Sequence, residues 1–169
     1  MGKIAVEINI KGVKQMSIRN SSKAIIIEDS KVLLTKNVDE EGHFYLFPGG
    51  GQDHGEVLSD TVKRECIEEI GENVEVKDLL HIREYIGKNH EHAYFDSHVH
   101  QIEYYFVCRI RTEQNGSSAP SNPDSHQVGI EWVPIQDLMN FRIYPKGIRT
   151  YIQEYENKKR NTVYLGDIN

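Results

Sequence analysis

A chain of 169 residues with 38% apolar and 27% charged side chains is long enough to bury one sizeable core and too short for two comfortable ones. Its formal net charge of −6 argues against a broad basic face for a nucleic acid polymer, because phosphate contacts need clustered Lys and Arg. No apolar run approaches membrane-spanning length, and the start MGKIAVEINI alternates where a signal peptide has an unbroken apolar block, so the chain is expected to stay in the cytoplasm with no membrane partner.

In chain order, Ile4, Val6, Ile8 and Ile10 alternate with Ala5, Glu7 and Asn9, and Lys11-Gly12 supplies a turn. Residues 1–19 are therefore expected to form an extra N-terminal strand or hairpin, with an edge that can pair across a homodimer. Apolar runs at 24–27 and 32–34, separated by Glu28-Asp29-Ser30, predict a second hairpin. HFYLFP, residues 43–48, is an aromatic strand closed by Pro48, after which the glycines turn the chain. Residues 57–70 have helical spacing, with Gly71 placed as a C-cap. VEVKDLLHIREYIG and VHQIEYYFVCRI are β-branched and aromatic enough for two strands, and NHEHAYFDSH between them is a histidine-rich loop. Residues 112–126 have the Gly, Ser, Pro and Asn content of a long exposed loop. GIEWVPI predicts a further strand, PIQDLMN a helical turn, and residues 146–160 a C-terminal helix. Nothing marks a linker or a repeat, so residues 1–169 are expected to form one domain. Cys66 and Cys108 lie inside predicted elements without metal-type spacing, which predicts buried, reduced thiols.

The chemistry concentrates in residues 47–72, FPGGGQDHGEVLSDTVKRECIEEIGE. On a wheel of about 100° per residue, Leu58, Val62, Cys66 and Ile70 form an apolar stripe, with Glu65 and Glu69 about 20° from one edge and Glu68 about 80° from it. The acids thus border the core face. A solvated charge run belongs on the opposite side, and like charges three and four apart repel. Glu65 and Glu69, one turn apart, can aim oxygens at a common cation, with Glu68 beside them. Carboxylates without His or Cys suit Mg²⁺ or Mn²⁺, which also bind phosphate oxygens, so a polyphosphate is the expected substrate. The glycines let backbone approach a ligand closely, but the spacing is that of neither a phosphate-binding P-loop nor a dinucleotide fingerprint. Glu56 and Arg64 flank the acids and are placed to pair, locking the loop onto the helix.

The string Gly50-x5-Glu56-x7-Arg64-Glu65-Cys66-x-Glu68-Glu69-x-Gly71 resembles the signature of the Nudix hydrolases, G-x5-E-x7-R-E-U-x-E-E-x-G-U with U a bulky aliphatic. Cys66 replaces one aliphatic and Glu72 the last, and neither touches a metal ligand. FPGG before the motif and EWVPIQDL after it extend the resemblance to residues 20–140. It implies an α/β (α+β) fold, a mixed β-sheet sandwiched between helices. It also implies that Glu65, Glu68, Glu69 and the Gly49 carbonyl hold Mg²⁺ or Mn²⁺, with Glu56 and Arg64 as orienting residues. The implied reaction is attack of metal-activated water on a phosphorus of a nucleoside diphosphate derivative. Family members commonly use a further carboxylate as base or ligand, for which Asp124 and Glu103 are the candidates and Glu131 the third. The region around EYIGKNHEHAYFDSHVHQIEYYF resembles bacterial ADP-ribose-type hydrolases. Modified nucleoside triphosphates and a non-catalytic nucleotide-sensing role are the alternatives. His98-x-His100 on one strand face makes a zinc site conceivable, but no third ligand has suitable spacing. Tyr94, Phe95 and Tyr105 are placed either to stack on a base or to fill the core.

Overall fold

The computed structural model describes residues 17–111, 119–159 and 162–169. The strand expected at 4–10 and the dimer edge it offers lie outside the described residues, as do positions 112–118 of the long loop and position 160 of the C-terminal helix.

Strands β1 (Arg19–Glu28) and β2 (Lys31–Asp39) form the predicted hairpin. Its two turn residues, Asp29 and Ser30, have φ of 48° and 56°, the doubly left-handed geometry that matches strand twist in a two-residue loop. Strand β3 (Gly42–Leu46) returns antiparallel on β2. The glycines that follow do more than turn the chain: β4 (Gly49–Gly51) pairs antiparallel with β1, Lys23 opposite Gly49. Having no side chains to clash, they can lie as a short strand where propensity alone forbids one.

Helix α1 (Leu58–Ile70) ends at Gly71, whose φ of 70° and N–H bond to the Ile67 carbonyl make the left-handed cap. Next come β5 (Val74–Ile86), a short helix α2 (Ala93–Asp96), β6 (His100–Ile110), β7 (Gln127–Pro134), β8 (Ile143–Tyr144), α3 (Ile148–Glu156) and β9 (Tyr164–Asp167). A 3-10 turn at Ile135–Asn140 fulfils the helical turn expected from PIQDLMN. The predicted histidine loop contains α2, and His98 falls outside β6, so the expected two-histidine strand face does not form.

The strands run in the order β8-β3-β2-β1-β6-β5-β9, with β4 on β1 and β7 on β2. Strand β1 joins the two halves: Ser21 lies parallel beside Glu103 of β6, and Ile27 lies antiparallel to Val32 of β2. It is apolar on both faces, as a strand covered on both sides must be. Ala24 and Ile26 pack with Leu33, Val62, Cys66, Ile70 and Cys108 on the α1 side, whereas Ile25 packs with Val32, Leu34, Ile148 and Ile152 on the α3 side. Helices therefore cover both faces of a mixed sheet, as the family resemblance implied. Each fully buried Val, Leu or Ile contributes roughly 1.5–3 kcal/mol. Both cysteines are buried free thiols, and burial pushes the Cys108 thiol up to about 12.

Candidate metal and nucleotide site

The close approach of β4 to β1 and α1 explains the run of glycines. A Cβ on Gly49 (φ 136°) would overlap the Ser22 carbonyl oxygen, and one on Gly50 would sit 2.5 Å from Glu65 Oε1. Backbone and carboxylates can share this seam because nothing projects from it.

Arg64 ties the seam together. Its Nε and Nη2 donate to the two oxygens of Glu56 at 3.0 and 3.1 Å, its Nη1 to Glu65 at 2.9 Å, and its Nη2 also to the Gly51 carbonyl at 3.0 Å. Glu56 also accepts from the Thr61 hydroxyl at 2.8 Å and the Asp53 N–H at 3.2 Å. A guanidinium fork matches a carboxylate in this bidentate way. The pairing holds the Glu56 carboxyl down at about 2. Because that value lies below the ordinary 4.5, the stabilisation is present above pH 4.5 and lost as pH falls through about 2. Arg64→Ala is therefore expected to cost roughly 1–3 kcal/mol at neutral pH and to flatten the acid limb of the stability profile. Urea titrations of both proteins at pH 7 and pH 3 check this, and equal midpoints at pH 7 would remove the locking role.

The acids follow the order the helical wheel sets. Glu69 is 6% exposed, and the side chains of Glu65 and Glu68 are 13% and 28% exposed. Burial pushes the Glu69 carboxyl up to about 7, partly offset by the Lys23 charge and the Gly49 N–H, which donates to Glu69 at 2.9 Å. Burial also raises Glu65, against the pull of Arg64. Two carboxylates at this depth favour protonation unless more positive charge arrives.

The segment after residue 118 is anchored on the last turn of α1, where helix carbonyls lack intrahelical donors. Asn122 N–H donates to the Glu68 carbonyl at 3.0 Å and Gln127 Nε2 to the Glu69 carbonyl at 2.6 Å. These bonds carry Asp124 to a polar cavity of about 260 Å³, which it lines with Gly49, Gly50, Glu65, Glu69 and Lys23. Of the sequence candidates for an extra carboxylate, Asp124 is thus the one brought to the acids. Glu103 lies in the wall of a second cavity and accepts from Arg83 at 2.9 Å, Gln101 at 2.7 Å and Tyr105 at 2.5 Å. Burial opposes its charge, but Arg83, Lys23 and these donors outweigh burial and hold its carboxyl below the ordinary value. Glu131 is engaged with Lys36 at 3.0 Å and Tyr45 at 2.9 Å.

The second cavity, about 450 Å³, is lined by Phe44, Tyr85, Arg142, Tyr144 and Asp39 among others, and shares Lys23 and Gln101 with the first. Phe44 and Tyr144 meet edge to face at 6.3 Å between centroids, and the Arg142 guanidinium lies 5.5 Å from the Phe44 centroid and 5.8 Å from that of Tyr144. Sequence reading missed this wall, because Phe44, Arg142 and Tyr144 converge only through the pairing of β3 with β8. Of the aromatics singled out from sequence, Tyr105 is core and borders the cavity, whereas Tyr94 and Phe95 are 90% and 72% exposed. The histidines disperse: His92 lines the cavity, His90 contacts Asp167 at 2.5 Å and His100 contacts Glu84 at 3.4 Å.

Among the described residues no three His, Cys, Asp or Glu side chains enclose a metal ion by themselves. A cation such as Mg²⁺ keeps several waters, takes one or two protein carboxylates and completes its shell with phosphate. The oxygen-only donors Glu65, Glu69, Asp124 and the glycine backbone are chemically suited to it.

The NUDIX domain model matches residues 19–155, and the chain belongs to that family. An RNA pyrophosphohydrolase of Helicobacter pylori is 30% identical over 134 residues, covering 77% of this chain and 83% of that protein. Nucleoside diphosphate-linked moiety X motif 6 of Xenopus laevis is 36% identical over 89 residues, or 52% of this chain, and the match spans only 38% of its length. The crystal structure of an ADP-ribose pyrophosphatase from Streptococcus suis superposes with a TM-score of 0.61 at 20% identity, covering 89% of this chain and all of that one. At that identity the likeness concerns the fold. The protein is a Nudix hydrolase, from a family that generally uses divalent cations.

Proposed function

We propose that this enzyme is a Mg²⁺- or Mn²⁺-dependent pyrophosphohydrolase of a nucleoside diphosphate derivative, with an ADP-ribose-like sugar as the favoured substrate. The observation that carries this reading is the pair of adjoining cavities, one acidic and glycine-walled, the other aromatic, joined through Lys23 and Gln101. A diphosphate with a bulky group attached needs both. The aromatic cavity has the volume of a small-molecule site, and Phe44, Tyr85 and Tyr144 offer rings for stacking while Asp39 and Gln101 offer polar atoms.

Glu65 and Glu69, with Glu68 and the Gly49 carbonyl, would hold the cation. When bound, it lowers the pKa of water and neutralises phosphate charge. Arg64 and Glu56 orient the loop and helix so that Glu65 faces the cavity. Asp124, held on the turn above, is placed to take a proton from the attacking water, provided that water sits within hydrogen-bond reach.

With ADP-ribose and either cation, the expected products are AMP and ribose 5-phosphate, with no direct release of inorganic phosphate, as read by ion-exchange chromatography. A second reading is favoured by the relative named RNA pyrophosphohydrolase: release of pyrophosphate from a triphosphate, whether a modified nucleotide or an RNA 5′ end. Pyrophosphate from those substrates, with ADP-ribose untouched, would establish it. Tight binding of ADP-ribose without cleavage would instead mark a sensor.

A further inference from the structure

We propose that Lys23 is a positioning residue with two successive partners: in the metal-free protein its ammonium stands in for the divalent cation at the Gly49 carbonyl, and in the loaded protein it turns to the substrate diphosphate. The proposal rests on the metal site described under the proposed function.

Lys23 sits on β1, opposite Gly49 of β4 on one side and Tyr105 of β6 on the other, between the buried Ser22 and Ala24. A lysine so placed in the middle of a covered strand is uncommon without a charged purpose. Its ammonium donates to the Gly49 carbonyl, the same oxygen expected to join the cation. Its charge acts on Glu65, Glu69 and Glu103 together. An ammonium on the Gly49 carbonyl and a divalent cation on the same oxygen repel each other at close range, so loading drives the lysine off that carbonyl.

The side chain has somewhere to go. Lys23 lines both cavities, and the diphosphate of a substrate spanning them passes the place where they adjoin. Four flexible methylenes and a compact ammonium let Lys swing between two acceptors, as a rigid guanidinium fork does not. Arg64 is tied to Glu56, and Arg83 to Glu103. Lys23 is bonded here to a neutral carbonyl, so its ammonium can exchange that partner without breaking an ion pair to it.

The test uses the full chain and two variants. Lys23→Met removes charge and hydrogen bond; Lys23→Gln keeps a donor for Gly49 and removes only the charge. In calorimetric titrations with Mn²⁺ alone, run well above the pH of about 7 at which the Glu69 proton competes, both variants should bind about tenfold tighter than the parent, because a competing positive charge is gone. Under saturating Mn²⁺, ADP should bind both about tenfold more weakly, because its diphosphate has lost a partner. A purely structural lysine would move neither affinity in these opposite directions. Should Lys23→Met fail to fold, Lys23→Gln alone decides. Parent-like affinities for Mn²⁺ or for ADP in a folded variant overturn the proposal while leaving the metal site intact. A parent that binds no Mn²⁺, with or without ADP, overturns the metal-site reading itself and the exchange with it.

Discussion

Glu69→Gln is expected to lower turnover by roughly 10³-fold or more, since loss of one charged ligand removes several kcal/mol of charge stabilisation from the transition state. The fold should survive, because the amide oxygen of Gln can still accept the Gly49 N–H that Glu69 accepts at 2.9 Å. Stability should even rise at alkaline pH. The Glu69 carboxyl, pushed up from 4.5 to about 7, stabilises the metal-free fold fully below pH 4.5 and loses that contribution as pH rises through about 7. Gln carries no such proton, so the variant's profile flattens across that window. The same proton competes with the cation, and Mn²⁺ affinity of the parent should fall as pH drops below about 7. Single-turnover rates, metal titrations and urea midpoints measured on one preparation separate these effects. Parent-like hydrolysis by Glu69→Gln would sink the catalytic assignment.

Gly49→Ala is expected to have the largest effect on folding. Its methyl would overlap the Ser22 carbonyl oxygen and lie 2.8 Å from Lys23 Cα, both backbone atoms, at a φ of 136° that L residues rarely adopt. Steric overpacking and backbone strain of about 1–3 kcal/mol each are a large share of the total stability of a domain. Gly42→Ala is the control: φ is 108° there and a Cβ meets nothing within 4 Å, so it isolates backbone strain from the clash. Gly50→Ala should separate folding from chemistry. The atom it meets is the end of the Glu65 side chain, which can swing away, so the protein should fold but bind Mn²⁺ more weakly. If Gly49→Ala and Gly42→Ala melt alike, the close packing of β4 on β1 is not what requires the glycine.

Much of the acidic half of the site was legible from residues 47–72, because a helix converts sequence spacing into direction by a fixed rotation. The wheel placed Glu69 and Glu65 nearer the core than Glu68, and exposure follows that order. The Glu56–Arg64 pair and the Gly71 cap were legible for the same reason, as both depend on local geometry. The aromatic cavity was not. Phe44 and Tyr144 are far apart in the chain, and only strand pairing across a turn of irregular structure brings them together. Lys23 passed unnoticed because a lone lysine beside an apolar run reads as a solvated strand end; its significance comes from β4, a strand of glycines that no propensity scale anticipates. The short strand β9 escaped for the converse reason, lying beyond the predicted C-terminal helix with little apolar alternation to mark it.

The two-faced apolar character of β1 leaves its alignment underdetermined by hydrophobicity. Slipping a strand by one residue exchanges its faces, yet here both faces are greasy, and Ala24 and Ile26 trading places with Ile25 would still bury carbon on either side. Such a slip would carry Lys23 off the metal seam and aim it into a hydrocarbon layer. The tight contact of Gly49 with the Ser22 carbonyl, where any Cβ would overlap backbone, belongs to the observed alignment and opposes the slip. The glycine just before the catalytic signature then has a second duty that the chemistry does not reveal: Gly49 works as a keyway, helping to set the phase of the central strand before any cation or nucleotide arrives.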